Sequence, residues 1–257
     1  MNDDPSVKKV EVINLGVPGY NSSQYEKSLK IEGFRYDPDL VIMFFYVGND
    51  WSVDEGNDYK GVNSQGFLIN TKDGFSMKSA RSALFYIRLF LKSHSQAYML
   101  ARDRFKGFLM KAKLMAISTV DIYEKSNDLR KKYAYTLQAI NEINLFCKTQ
   151  LSCPFLVCIV PEKMQVKKSL LNLVIRAYKL NANEYNWLQP QSVLIEFCEE
   201  NGINYLDLTG PLGEAEQKEP MYLDVDYHWN RMGHLIAAQS IYKYLKDNQI
   251  IRSRKYD

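Results

Sequence analysis

Apolar residues gather into four short runs along this chain, at residues 10–15, 40–46, 155–160 and 205–208. Each is rich in β-branched or aromatic side chains and bounded by Gly, Pro or Asp. Short runs of this kind are what buried parallel strands tend to show. Helical spacing of apolar positions marks residues 23–33, 83–115, 127–149, 191–201 and 232–245. Strands alternating with helices predict an α/β fold with a parallel sheet covered on both faces. No internal repeat breaks the pattern.

Residues 51–125 interrupt that alternation. Their first part, 52–73, is rich in Gly, Asn and Asp and reads as a loop; the second is the long helical run. The expectation is therefore one domain over 1–257, with 51–125 as a loop plus a helical cap inserted into it. From Lys78 to Lys113 there are nine Lys or Arg and one acid, Asp103. Two readings fit that excess: a solvated basic face on the cap, or a lid that meets an anionic surface.

Bulk composition narrows the function classes. At 257 residues with a net charge of +3, the chain can bury a substantial core but has no global field that argues for nucleic acid. Its longest apolar run, residues 40–48, falls far short of the roughly 20 residues needed to span a bilayer. The N-terminus has no signal-peptide core, so the chain as written reads as soluble and its compartment stays open. Cys147, Cys153, Cys158 and Cys198 lack metal-ligand spacing, and Cys158 lies in a predicted buried strand. Neither a zinc site nor a disulfide framework is expected of them.

In open parallel sheets, sites form at the carboxyl ends of the strands. Three short segments fall there. After the first run comes Asn14-Leu15-Gly16-Val17-Pro18-Gly19, where a glycine lets a backbone N–H approach a ligand; a plain strand-to-helix turn capped by Ser22 or Ser23 is the alternative. After the second comes Gly48-Asn49-Asp50, which is either turn chemistry or a neutral amide donor for an oxyanion. Near the end lies Asp226-Tyr227-His228-Trp229-Asn230. Two residues apart is not a helical neighbour spacing. In a loop, however, the carboxylate can reach Nδ1 of the imidazole and leave Nε2 as a base. Asn230 then reads as the N-cap of the closing helix; the alternative makes His228 a loop histidine and Asp226 another cap.

Taken in order, these segments resemble the SGNH (GDSL-type) hydrolase superfamily, esterases and lipases on a three-layer, flavodoxin-like fold. Asn14-x-Gly16-x-x-Gly19 resembles the second family block, which implies an oxyanion-hole N–H at Gly19. Gly48-Asn49-Asp50 resembles the third, which implies Asn49 as the side-chain oxyanion donor, although the family glycine usually stands where Val47 does here. Asp226 and His228 resemble the fifth block in its D-x-H form and imply a carboxylate and a base. The resemblance runs from about Val10 to Leu245, the insertion apart, and residues 190–208 and 222–234 have the texture of bacterial members that act on carbohydrate-linked acyl groups. It implies an acyl ester substrate, no cofactor and no metal.

The family's first block, Gly-Asp-Ser with the nucleophile, has no counterpart in these residues. In the family it ends a central strand, so its absence predicts a sheet of order 2-1-3-4-5 without strand 1. Several unpaired inner-edge groups would follow, at about 1–3 kcal/mol each where buried. Asn2-Asp3-Asp4-Pro5 reads as a mid-protein connection, and the nucleophile is expected upstream of Met1. The expectation is thus a serine ester hydrolase, a carbohydrate deacylase included, inactive without that segment. The alternatives are a polysaccharide O-acyltransferase using the same residues and a non-catalytic binding module with a basic cap.

Overall fold

The computed structural model describes residues 10–17, 19–51, 60–62, 68–70, 95–96, 120–125, 128–224 and 227–250. The chain divides into two compact units, Met1–Val53 with Thr119–Asp257, and Asp54–Ser118. In the second unit β2 (Lys60–Val62) pairs antiparallel with β3 (Leu68–Asn70), where composition alone predicts a loop. Both are three residues long, too short for a periodicity to register in the sequence. All of the predicted helix over 83–115 except residues 95–96, and the basic residues of the cap, lie outside the described residues.

The first unit is α/β. Its sheet is parallel, in the order β1 (Val41–Tyr46), β4 (Phe155–Val160), β5 (Asn204–Asp207). The strand between its neighbours, β4, is Phe-Leu-Val-Cys-Ile-Val, and its first five residues are fully buried. No polar residue could stand there without losing its hydration. On β1, Met43 and Phe45 point into the core while Phe44 is largely exposed. This sheet agrees with the predicted strand sequence 3-4-5 of an SGNH-like fold.

Residues 10–15 depart from expectation. They are not a strand: the segment is irregular, with Val12 81% exposed. Strand propensity becomes strand only when a neighbour completes the ladder, and among the described residues no strand lies beside β1 on its open edge.

Helices cover the sheet. Asn21, not Ser22 or Ser23, caps α1 (Ser22–Ile31), in a reciprocal capping box with Gln24. Asn holds a side-chain carbonyl at the reach that the Gln24 N–H requires, and Gln24 returns the bond to the Asn21 N–H. The predicted helix over 127–149 is broken at Tyr133 into α2 (Leu129–Lys132) and α3 (Ala134–Phe146), and ends in a wide turn, Cys147–Leu151. Leu137, Ile140 and Ile143 form the buried stripe of α3, which packs against α1. After β4 come α4 (Lys163–Val166), α5 (Lys168–Tyr178) and α6 (Gln189–Glu200). The last pair, α7 (Thr209–Glu216) and α8 (Arg231–Asp247), encloses a core of Leu156, Cys158, Leu208, Leu212, Met221, Tyr222, Ala237, Ile241 and Leu245. Among the described residues no helix is long and apolar enough to cross a membrane.

Candidate active site

The carboxyl ends of β1 and β4 lie side by side, because Tyr46 pairs with Val160 and the Val47 N–H donates to the Val160 carbonyl at 3.0 Å. Beyond β1 the chain turns sharply. The N–H groups of Asn49 and Asp50 both donate to the Tyr46 carbonyl, at 3.3 and 3.0 Å. The Asp50 carboxylate folds back to accept the Tyr46 N–H at 2.8 Å. This closed turn leaves Asn49 at the surface, with its side-chain amide unengaged among the described residues.

Asp50 is 2% exposed. Desolvation pushes its carboxyl up to about 7, and the bonds from Tyr46 N–H and Tyr25 OH only partly offset that. Tyr25 stands on α1, so its hydroxyl ties the helix that follows Gly19 to the turn that carries Asn49. The proton on Asp50 makes stability pH-dependent. Between roughly pH 4 and pH 7 the unfolded chain releases this proton and the folded one keeps it, so stability falls as pH rises, then levels off. Asp50→Asn is expected to abolish that slope, which approaches about 1.4 kcal/mol per pH unit. The variant should match the parent at pH 4 and exceed it at pH 8 in urea midpoint. A parallel pair of pH–stability curves would contradict this account.

Beyond β4 come Pro161, Glu162 and Lys163, all buried. Glu162 accepts the Tyr123 hydroxyl at 2.9 Å and caps α4 in a box with Gln165. The negative field of Glu162 adds to burial in raising the hydroxyls of Tyr46, Tyr123, Tyr222 and Tyr227.

The tail segment forms a hairpin neck. Tyr222 faces Trp229 across an antiparallel bridge. The Leu223 N–H donates to the His228 carbonyl and the Asn230 N–H to the Met221 carbonyl, both at 2.9 Å. His228 opens the returning arm and is exposed. Two side-chain bonds hold this neck to the end of β4: Tyr222 OH to the Pro161 carbonyl at 2.9 Å, and Lys163 Nζ to the Leu223 carbonyl at 2.6 Å. Asn230 caps α8 by accepting from the N–H groups of Met232 and Gly233. His234 packs edge-on against Trp229 in the first turns of that helix.

The structure therefore places Asn49 and the His228 hairpin at the ends of adjacent strands. Gly19, at φ +82°, occupies the turn before α1 with open space where a side chain would begin. Asp226 lies outside the described residues. Glu162, Lys163, Tyr25, Tyr46 and Tyr123 are absent from the motif reading, and Asp50 enters it only as part of the turn, with no role of its own. The rule that sites form at strand ends points to Pro161-Glu162-Lys163 as directly as to Gly48-Asn49-Asp50, and two charged residues abutting an apolar strand are the signal. Among the described residues no cluster of three or more His, Cys, Asp or Glu is arranged to hold a metal.

Compared with known families, residues 150–256 match the SGNH hydrolase-like domain described as acetyltransferase AlgX. The match spans β4, β5, α8 and the Asp226-x-His228 segment, and it supports the resemblance to the SGNH hydrolase superfamily. No curated protein and no solved structure matches the chain.

Proposed function

From the SGNH hydrolase-like match over residues 150–256, we propose that this chain carries the base and oxyanion side of a serine acyl-transfer site. A serine from outside these residues supplies the nucleophile. The observation that carries the reading is the anchored neck. It holds His228 at the end of β4, one strand away from the turn that presents Asn49.

In the first half-reaction the serine Oγ attacks the acyl carbonyl and His228 Nε2 takes its proton. Negative charge builds on the carbonyl oxygen, toward which the Gly19 N–H and the Asn49 amide donate. Collapse expels the alcohol, which receives the proton back from His228, and leaves a seryl ester. In the second half-reaction an incoming hydroxyl attacks that ester by the same route. Asp226 holds the tautomer of His228 that keeps Nε2 unprotonated.

Water as the incoming hydroxyl makes the protein an esterase; a sugar hydroxyl makes it an O-acyltransferase. The matched family is described as an acetyltransferase, which favours an acetyl group; the carbohydrate acceptor rests on the resemblance of residues 190–208 and 222–234 to members that act on carbohydrate-linked acyl groups. The test supplies an aryl acetate donor to the natural gene product, with and without an oligosaccharide. Acetylated sugar detected by mass spectrometry is expected, and acetate alone would leave the esterase reading. The 257-residue chain by itself is expected to release aryl alcohol no faster than its own His228→Ala variant. A burst of release from it, with an acyl group found on one of its own serines, would overturn the placement of the nucleophile.

A further inference from the structure

Lys163 is 8% exposed, and a lysine this buried needs a partner for its ammonium. It stands at the first position of α4, directly after Glu162, and its Nζ reaches a carbonyl sixty residues away, that of Leu223. A leucine or methionine would satisfy packing at this place without the cost of desolvating a charge. The partner it reaches is the informative part. Leu223 is the residue whose N–H donates to the His228 carbonyl across the neck. A charge-assisted bond to one arm therefore acts on the backbone of the other, at the residue expected to move protons.

Resting on the acyl-transfer reading above, we propose that Lys163 is a positioning residue. Its ammonium pins the Leu223 carbonyl and so fixes the backbone from which the His228 imidazole projects. Tyr222 holds the same neck one residue earlier, through its hydroxyl on the Pro161 carbonyl. With one pin removed the hairpin stays attached but its returning arm can pivot. Small displacements of a base from the proton it takes lower the chemical step far more than substrate binding.

The experiment compares the natural gene product with its Lys163→Met and His228→Ala variants, together with amide exchange of residues 221–230 in the 257-residue chain. Lys163→Met keeps the length of the stem and removes the donor. It is expected to lower kcat at least about tenfold while KM stays within about twofold. Exchange at the Leu223 and Asn230 amides is expected to quicken by about tenfold or more. His228→Ala is expected to abolish turnover and leave that exchange unchanged, because the neck bonds are made by backbone. If His228→Ala is inactive but Lys163→Met keeps its kcat, or leaves exchange as in the parent, the positioning role is overturned and the acyl-transfer reading stands. If His228→Ala retains full activity, that reading falls and the proposal with it. Should Lys163→Met fail to fold, Lys163→Gln, with a donor on a shorter arm, is read by the same two measurements.

Discussion

Replacing His228 with alanine in the natural gene product is expected to lower kcat/KM for acyl esters by at least roughly 10³-fold, about 4 kcal/mol of transition-state stabilisation. The expectation follows from what the imidazole must do. A serine hydroxyl is a poor nucleophile until its proton has an acceptor, and the same proton must reach the departing alcohol. Alanine provides neither step. The proposed role of the imidazole is to move a proton in the chemical step, so the loss should appear in kcat with KM little changed. The fold should survive: His228 is exposed and holds the neck through its backbone carbonyl, which alanine retains. Asp226→Asn should also reduce kcat, by destabilising the productive tautomer and the imidazolium. A melting curve that stays put while turnover collapses is the result sought. Unchanged turnover in both variants would remove Asp226 and His228 from the mechanism.

The second large effect concerns Gly233, in the first turn of α8. A Cβ placed there would stand 2.3 Å from the Met221 carbonyl and 2.9 Å from the Trp229 Cβ. The first neighbour is backbone and cannot swing away. That carbonyl also accepts the Asn230 N–H at 2.9 Å, one of the two bonds that close the hairpin neck. Gly233→Ala is therefore expected to cost about 3 kcal/mol, the upper part of the overpacking range. For a chain of this size that is a fall in Tm of roughly 6–12 °C. Gly233→Val should prevent folding of this end of the unit. Because strain is relieved by shifting Met221, Gly233→Ala should also loosen the neck and lower kcat more than the stability loss alone explains at 20 °C. A Tm within about 2 °C of the parent would mean that α8 can move away from the neck, contrary to the packing described.

These effects differ in how far the residues announce them. Asn230 as the cap of the closing helix follows from its type and place, since a short side-chain carbonyl before an amphipathic run satisfies orphan N–H groups by local geometry. The cap of α1 is equally local, yet the sequence points to Ser22 or Ser23 where Asn21 serves, because which of three neighbouring residues caps the helix depends on where the chain turns. Gly233 carries no signal along the chain, because what forbids a side chain there is a carbonyl twelve residues earlier, brought close only when the hairpin closes.

Strands divide along the same line. The run at 155–160 is apolar throughout because β4 is covered on both faces and flanked on both edges, so every position is under the same selection for burial. Burial of that kind leaves its mark in composition alone. The run at 10–15 carries Glu11 and Asn14 among its β-branched and aliphatic residues, has no partner among the described residues, and is not a strand. A ladder is a relation between two segments, and one segment cannot state it.

What the sequence by itself determined is therefore the local part: the α/β alternation, the buried strand β4, the closing helix with its cap, and the short segments that resemble SGNH blocks. Hydrophobic period and side-chain capping act within about a dozen residues, so they can be read in order along the chain. What only the tertiary structure decided is which groups at the strand ends face one another. It folded Asp50 back onto Tyr46 in an environment dry enough to hold its proton to about 7. It also sent the ammonium of Lys163 to a carbonyl sixty residues on. Both depend on desolvation and on contacts between distant segments, and those quantities exist only once the chain has closed on itself.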